Sequence, residues 1–155
     1  MTRTPAALAV AAATVAASAA QACEVPLPLR PELAVITPVI ARGEVVAVEP
    51  DGRGGAVLTL AVTETLKGTE AETWAVAWDA WSVVPPPETV EAFVARFGTD
   101  VVLGLTPAVP GIAVDDAPAR IEAGEGALAQ ENCALPFLDS YAALVPMLAE
   151  RGLTD

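Results

Sequence analysis

The segment from Ala41 to Gly68, ARGEVVAVEPDGRGGAVLTLAVTETLKG, sets the tightest limit on what this chain can fold into. Two runs rich in Val, Leu and Thr stand on either side of Asp51-Gly52-Arg53-Gly54-Gly55. Glycines supply the positive φ angles that a connection between antiparallel strands demands, so the pattern predicts a long β-ribbon of Val39 to Glu49 and Ala56 to Leu66. In the first strand, Val46 and Val48 are expected on one side and Val45 and Ala47 on the other. In the second, Leu58, Leu60 and Val62 form the expected core face, and Val57, Thr59, Ala61 and Thr63 the opposite one.

Lys67-Gly68-Thr69 ends the ribbon, and Thr73 to Asp79 reads as a third strand with Trp74, Val76 and Trp78 on one face. Pro85-Pro86-Pro87 stops regular structure. From Glu88 to Phe97 the period changes: Val90, Phe93, Val94 and Phe97 recur at three and four residues, which predicts a short amphipathic helix closed by Gly98. Asp100 to Thr106, DVVLGLT, is a continuous apolar run and therefore a buried strand. Gly111 to Val114 is expected as an edge strand and Ala119 to Glu122 as its partner, with Asp115-Asp116 in the turn between them. Leu138, Tyr141, Leu144, Val145 and Leu148 give Pro136 to Arg151 helical spacing, with Pro146 expected to kink it. Before the ribbon, CEVPLPLRPELAVITP carries four prolines and is expected to be an extended arm. This order predicts a mainly β domain with two helices: a small five-stranded OB-like barrel, one helix between strands 3 and 4 and one at the C-terminus.

The first residues read as a targeting signal. Arg3 gives a positive start, Pro5 to Ala20 is uncharged and alanine-dominated, and Ala20-Gln21-Ala22 offers the small residues that a signal peptidase reads. Cleavage after Ala22 would leave residues 23–155 as one periplasmic or extracellular domain. A retained anchor is the alternative, but the run falls short of the roughly 20 apolar residues that a span needs. Cys23 and Cys133 are the only cysteines, and an even pair in an exported chain is expected to form a disulfide. Cys23 would also be the first mature residue, the position of a lipid anchor. A lipoprotein signal normally has a larger aliphatic residue where this chain has Ala20.

Charge and composition remove several function classes. A net charge of −12 repels phosphate backbones and anionic headgroups, which argues against nucleic acid as a partner and suits a soluble monomer. The chain contains no histidine, so imidazole-dependent nucleophiles and imidazole zinc sites are excluded. Ser82 and Ser140 lie in no glycine-framed nucleophile turn. Gly52, Gly54 and Gly55 lack the helix and lysine of a phosphate-cradling loop. Asp115-Asp116 offers too few ligands for calcium. No cofactor, metal site or catalytic residue is nominated. Asp79 among Trp74, Trp78 and Trp81 is the candidate binding surface, because indole faces suit sugar rings and carboxylates suit hydrolysis. Against that, Trp74 and Trp78 share a strand face with Val76, a core pattern.

The runs RGEVVAVEP, LTLAVTETLKG and FGTDVVLGL, with a late cysteine in ENCALPFLD before a leucine-bearing helix, resemble the bacterial exported relatives of netrin-like and tissue-inhibitor-of-metalloproteinase-like domains. Lys67-Gly68 at the ribbon's end is the sharpest mark. That resemblance implies an OB-fold and a cysteine directly after the signal peptide. In the inhibitors, the amine and carbonyl of that cysteine chelate the protease zinc, which would give Cys23 an inhibitory role. Netrin-like domains commonly open with two cysteines one residue apart, whereas here Glu24-Val25 follow Cys23. The expected function is a noncatalytic exported domain that binds another protein or envelope component. A small carboxylate-dependent carbohydrate-active enzyme and a metalloprotease inhibitor acting through Cys23 are the alternatives.

Overall fold

A computed structural model describes residues 31–79, 84–106, 123–129, 138–139 and 141–153. The ribbon is its largest element, β1 (Val39–Pro50) antiparallel to β2 (Ala56–Lys67). Its turn is built by one carboxylate: Asp51 Oδ1 accepts from the backbone N–H of Arg53 at 2.7 Å and of Gly55 at 2.9 Å. The Asp51 N–H donates to the Gly55 carbonyl at 3.0 Å, and Gly52 and Gly54 take the positive φ angles of 73° and 93°. Asp and Gly are therefore chemical requirements of this turn.

Three register shifts bend the ribbon, between Ile40 and Ala41, Arg42 and Gly43, and Val45 and Ala47. Each leaves an unpaired residue on one strand and increases the local twist. The third leaves Val46 over. Val45 is buried, Val46 is 54% exposed and Val48 packs partly against the core, so the expected face shared by Val46 and Val48 is corrected: the bulge resets the alternation between them. Bending also lets β1 serve two partners, β2 along its length and β4 (Val101–Thr106) through Val39–Gly43.

β3 (Thr73–Trp78) lies antiparallel to β2, and β5 (Glu125–Leu128) runs parallel to β3 and antiparallel to β4. The ring β1-β2-β3-β5-β4-β1 is thereby closed, with β6 (Leu138–Asp139) added to β4 outside it. This five-stranded closed barrel, with a helix after β3 and another at the C-terminus, is the expected OB-like architecture. Its fifth strand is Glu125–Leu128. The expected strands Gly111–Val114 and Ala119–Glu122 lie outside the described residues.

Inside the barrel, alternate residues meet: Leu58 and Leu60, Trp74, Val76 and Trp78, Val101, Leu103 and Leu105. α2 (Val90–Phe97) plugs one end. Thr89 caps it by accepting from the Ala92 N–H at 3.2 Å, and Gly98 ends it with φ 91° while donating to the Val94 carbonyl. Phe93 is fully buried, its ring edge-on to Trp78 at 6.5 Å, with Phe97 5.8 Å from the same indole. Aromatic pairs prefer such edge and tilted arrangements.

A second apolar layer lies outside the ring. Ile40, Leu66 and Val102 point away from the barrel and pack with Ala34 of α1 (Pro31–Ile36) and with Leu144 and Leu148 of α3 (Tyr141–Glu150). Covering both faces explains why β4 reads VVLGLT without alternation. α1 corrects the extended-arm reading for residues 31–36. Proline is tolerated in the first turn of a helix, where its missing N–H has no partner to lose, so Pro31 opens α1 instead of forbidding it. The Lys67 ammonium donates to the Ala34 and Val35 carbonyls at 3.1 and 2.7 Å, closing the helix's far end. The disulfide expected between Cys23 and Cys133 finds no support, and both cysteines lie outside the described residues.

Candidate functional site

Of the nominated surface residues, Trp74 and Trp78 are 0% and 1% exposed. Neither presents an indole face to a ligand, because the strand that carries them points both into the barrel. The Trp78 Nε1–H donates to the Val84 carbonyl at 3.0 Å, whereas the buried Trp74 Nε1 has no partner among the described residues. Asp79 is half-buried just after β3. Trp81, Cys23 and Cys133 lie outside the described residues. The structure therefore does not gather Trp74, Trp78 and Asp79 into a sugar-stacking surface.

What the barrel does present is the outer side of β1, β2 and β3. Its rows follow from the strand register: Glu49 beside Val57 beside Ala77, Ala47 beside Thr59 beside Ala75, and Glu44 beside Ala61 beside Thr73. Directly opposed residues in an antiparallel pair share a face, and here that face is opposite to Leu58, Leu60 and Trp74. Val57 is 37% exposed, and the bulge residue Val46 stands out beside them. The centre is small and weakly apolar, and its β1 border carries the exposed acids Glu44 and Glu49. Alternation in β2 already separates this face from the core; the exposure of Val46 has no signal in the sequence, because the bulge arises from pairing.

Cations are held elsewhere. Arg42 forms a bidentate pair with Asp100, its Nε donating to Oδ1 at 2.8 Å and Oδ2 at 3.0 Å and its Nη2 also reaching Oδ2. The same guanidinium lies 3.7 Å from Glu64 and stacks 4.2 Å above the Tyr141 ring, whose hydroxyl donates to Glu64 at 3.3 Å. Arg42's hydrogen bonds hold the Asp100 carboxyl below its ordinary range, and that same pairing raises the arginine. Lys67 is occupied by the end of α1, and desolvation there lowers its ammonium. Arg96 donates to the Pro85 carbonyl on the α2 side. Arg53 sits in the ribbon turn, beyond the face.

A shallow groove of about 570 Å³ runs along the other end of β2, where Glu64, Glu70 and Glu72 stand with Thr63 and Thr65. No group of three or more acidic, cysteine or histidine side chains placed to hold a metal ion occurs among the described residues. No helix among them is long and apolar enough to cross a membrane. Compared with known protein families, curated proteins and solved structures, the chain gives no match. What stands of the resemblance seen in the sequence is the OB-fold-like barrel with its helices.

Proposed function

We propose that this chain is an exported, noncatalytic domain of netrin-like type that binds another protein of the cell envelope through the outer face of β1, β2 and β3. The observation that carries the reading is that face itself: a continuous sheet surface of small side chains, with Val46 and Val57 exposed on it. By analogy of fold alone, OB barrels commonly offer strands 2 and 3 to their ligands. The residues choose the ligand class. Stacking of bases or sugars calls for aromatic platforms, and phosphate calls for cations, whereas the residues aligned across this face are Val, Ala, Thr and Glu. Small flat apolar surface bordered by charge suits a protein partner.

Export rests on the leader: cleavage after Ala22 puts Cys23 first in the mature chain, and a lipid on that residue is the alternative ending. The enzyme reading loses support because Trp78 is inside the barrel. The test places a photo-crosslinking amino acid at Val57 and, for comparison, at Glu91 on α2, in the cells that make the protein. A discrete protein adduct from position 57 and none from position 91 is expected, on a chain whose intact mass lacks residues 1–22. Equal labelling from both positions would remove this face as the binding surface.

A further inference from the structure

We infer that the partner at this face is a cationic protein surface, one that sets lysine or arginine side chains against Glu44 and Glu49 while its small apolar residues meet Val46 and Val57. This deepens the binding reading above and rests on it. The argument is charge complementarity in a fixed geometry. Glu44 and Glu49 lie on the same side of β1 as the exposed face, opposite Ala61 and Val57 in the register, and both are exposed. Asp51 continues that border into the turn, although its Oδ1 is engaged by the turn's own N–H groups.

Arg42, two residues before Glu44 on the same side of β1, is engaged by Asp100 and Glu64. No salt bridge to Glu44 or Glu49 occurs among the described residues, and with Glu44, Glu49 and Asp51 set against Arg53 of the turn the rim is net negative. A second copy of this chain docking face to face would set acids against acids, at a cost that grows as water is excluded. A lipid surface with anionic headgroups meets the same repulsion. A cationic protein is favoured by both halves of the surface. Rim charges of this kind act mainly on the encounter rate and on the choice of partner, so salt should weaken the complex.

The experiment uses the whole mature chain and two synthetic peptides of about ten residues, one alternating lysine with valine and the other glutamate with valine, long enough to span one strand. Fluorescence anisotropy is read at about 20 and about 300 mM salt, where the Debye length changes from roughly 20 Å to below 10 Å. The lysine peptide is expected to bind, to weaken about tenfold with salt, and to weaken about tenfold again in Glu44→Lys/Glu49→Lys. Glu88→Lys/Glu91→Lys, which changes the net charge equally but before and within α2, should stay within about twofold of the parent.

All four substitutions fall on exposed side chains, and circular dichroism confirms the fold. Equal binding of both peptides, or equal loss in the two double variants, overturns the cationic assignment; self-association that competes with the peptide replaces the partner by a second copy. A crosslink at Val57 that survives while the charge reversal has no effect removes the cationic partner but leaves the binding face. Absence of any adduct from position 57 in the parent chain removes both.

Discussion

At the scale of single residues, the curvature of the barrel depends on a position that tolerates no side chain. A Cβ on Gly43 would lie 2.0 Å from the Ala61 carbonyl oxygen, inside the β1–β2 ladder and beside a register shift. The obstructing atom is backbone, so relief requires the strands to part. Gly43→Ala should cost about 3 kcal/mol, the upper range for overpacking. Gly52→Ala should cost only about 1 kcal/mol, because its φ of 73° strains an L-residue while nothing stands within 4 Å. Urea unfolding at constant m-value measures both, and equal midpoints for the two variants would contradict this account. Gly43 sits in an otherwise ordinary β run, RGEVVAV, and the sequence carries the residue without saying which backbone approaches it.

At the scale of elements, the Arg42 network joins four of them: β1 through Arg42, β2 through Glu64, the entry to β4 through Asp100, and α3 through Tyr141. Hydrogen bonds from Arg42 lower the Asp100 carboxyl relative to the unfolded chain, so ionisation favours the folded state. The resulting stabilisation is complete above the ordinary aspartate value of about 3.9 and is lost as pH falls through the lower folded value. Arg42, raised above an already high value, stays charged throughout. Asp100→Asn should therefore melt below the parent at neutral pH and converge on it as the solution is acidified past that window. Salt should shrink the gap, because the pair is exposed. A difference in Tm that is constant between neutral and strongly acidic pH would sink the assignment. Periodicity predicts α3 and β4 separately; nothing local in either announces that Tyr141 meets Glu64.

For the whole molecule, two apolar layers share the same strands. β1 and β4 send Val39, Ala41, Val101, Leu103 and Leu105 into the barrel and Ile40 and Val102 outward against α1 and α3. Leu144 and Leu148 are 1% and 0% exposed, and losing a buried leucine side chain typically costs about 2–5 kcal/mol. Against a total stability of roughly 5–15 kcal/mol, α3 is then indispensable. A chain ended before Tyr141 is expected to lose cooperative unfolding and the near-ultraviolet signal of its buried tryptophans, and to bind a hydrophobic dye. A sharp two-state transition in that truncated chain would show that the barrel stands without its outer cover.

Local chemistry determined the hairpin, the third strand, α2 with its Thr89 and Gly98 ends, and the burial of DVVLGLT, because turn residues, caps and apolar period act over a few neighbouring positions. Tertiary structure alone decided that Val46 is left over in a bulge, that EGAL becomes the closing strand parallel to β3, and that Pro31 begins a helix whose end Lys67 caps. The core role of Trp74 and Trp78, by contrast, was already legible in the strand face they share with Val76. Each of the tertiary outcomes requires segments distant in the chain to meet, and the energy that selects them resides in the contact between them, not in either segment's residues read by themselves.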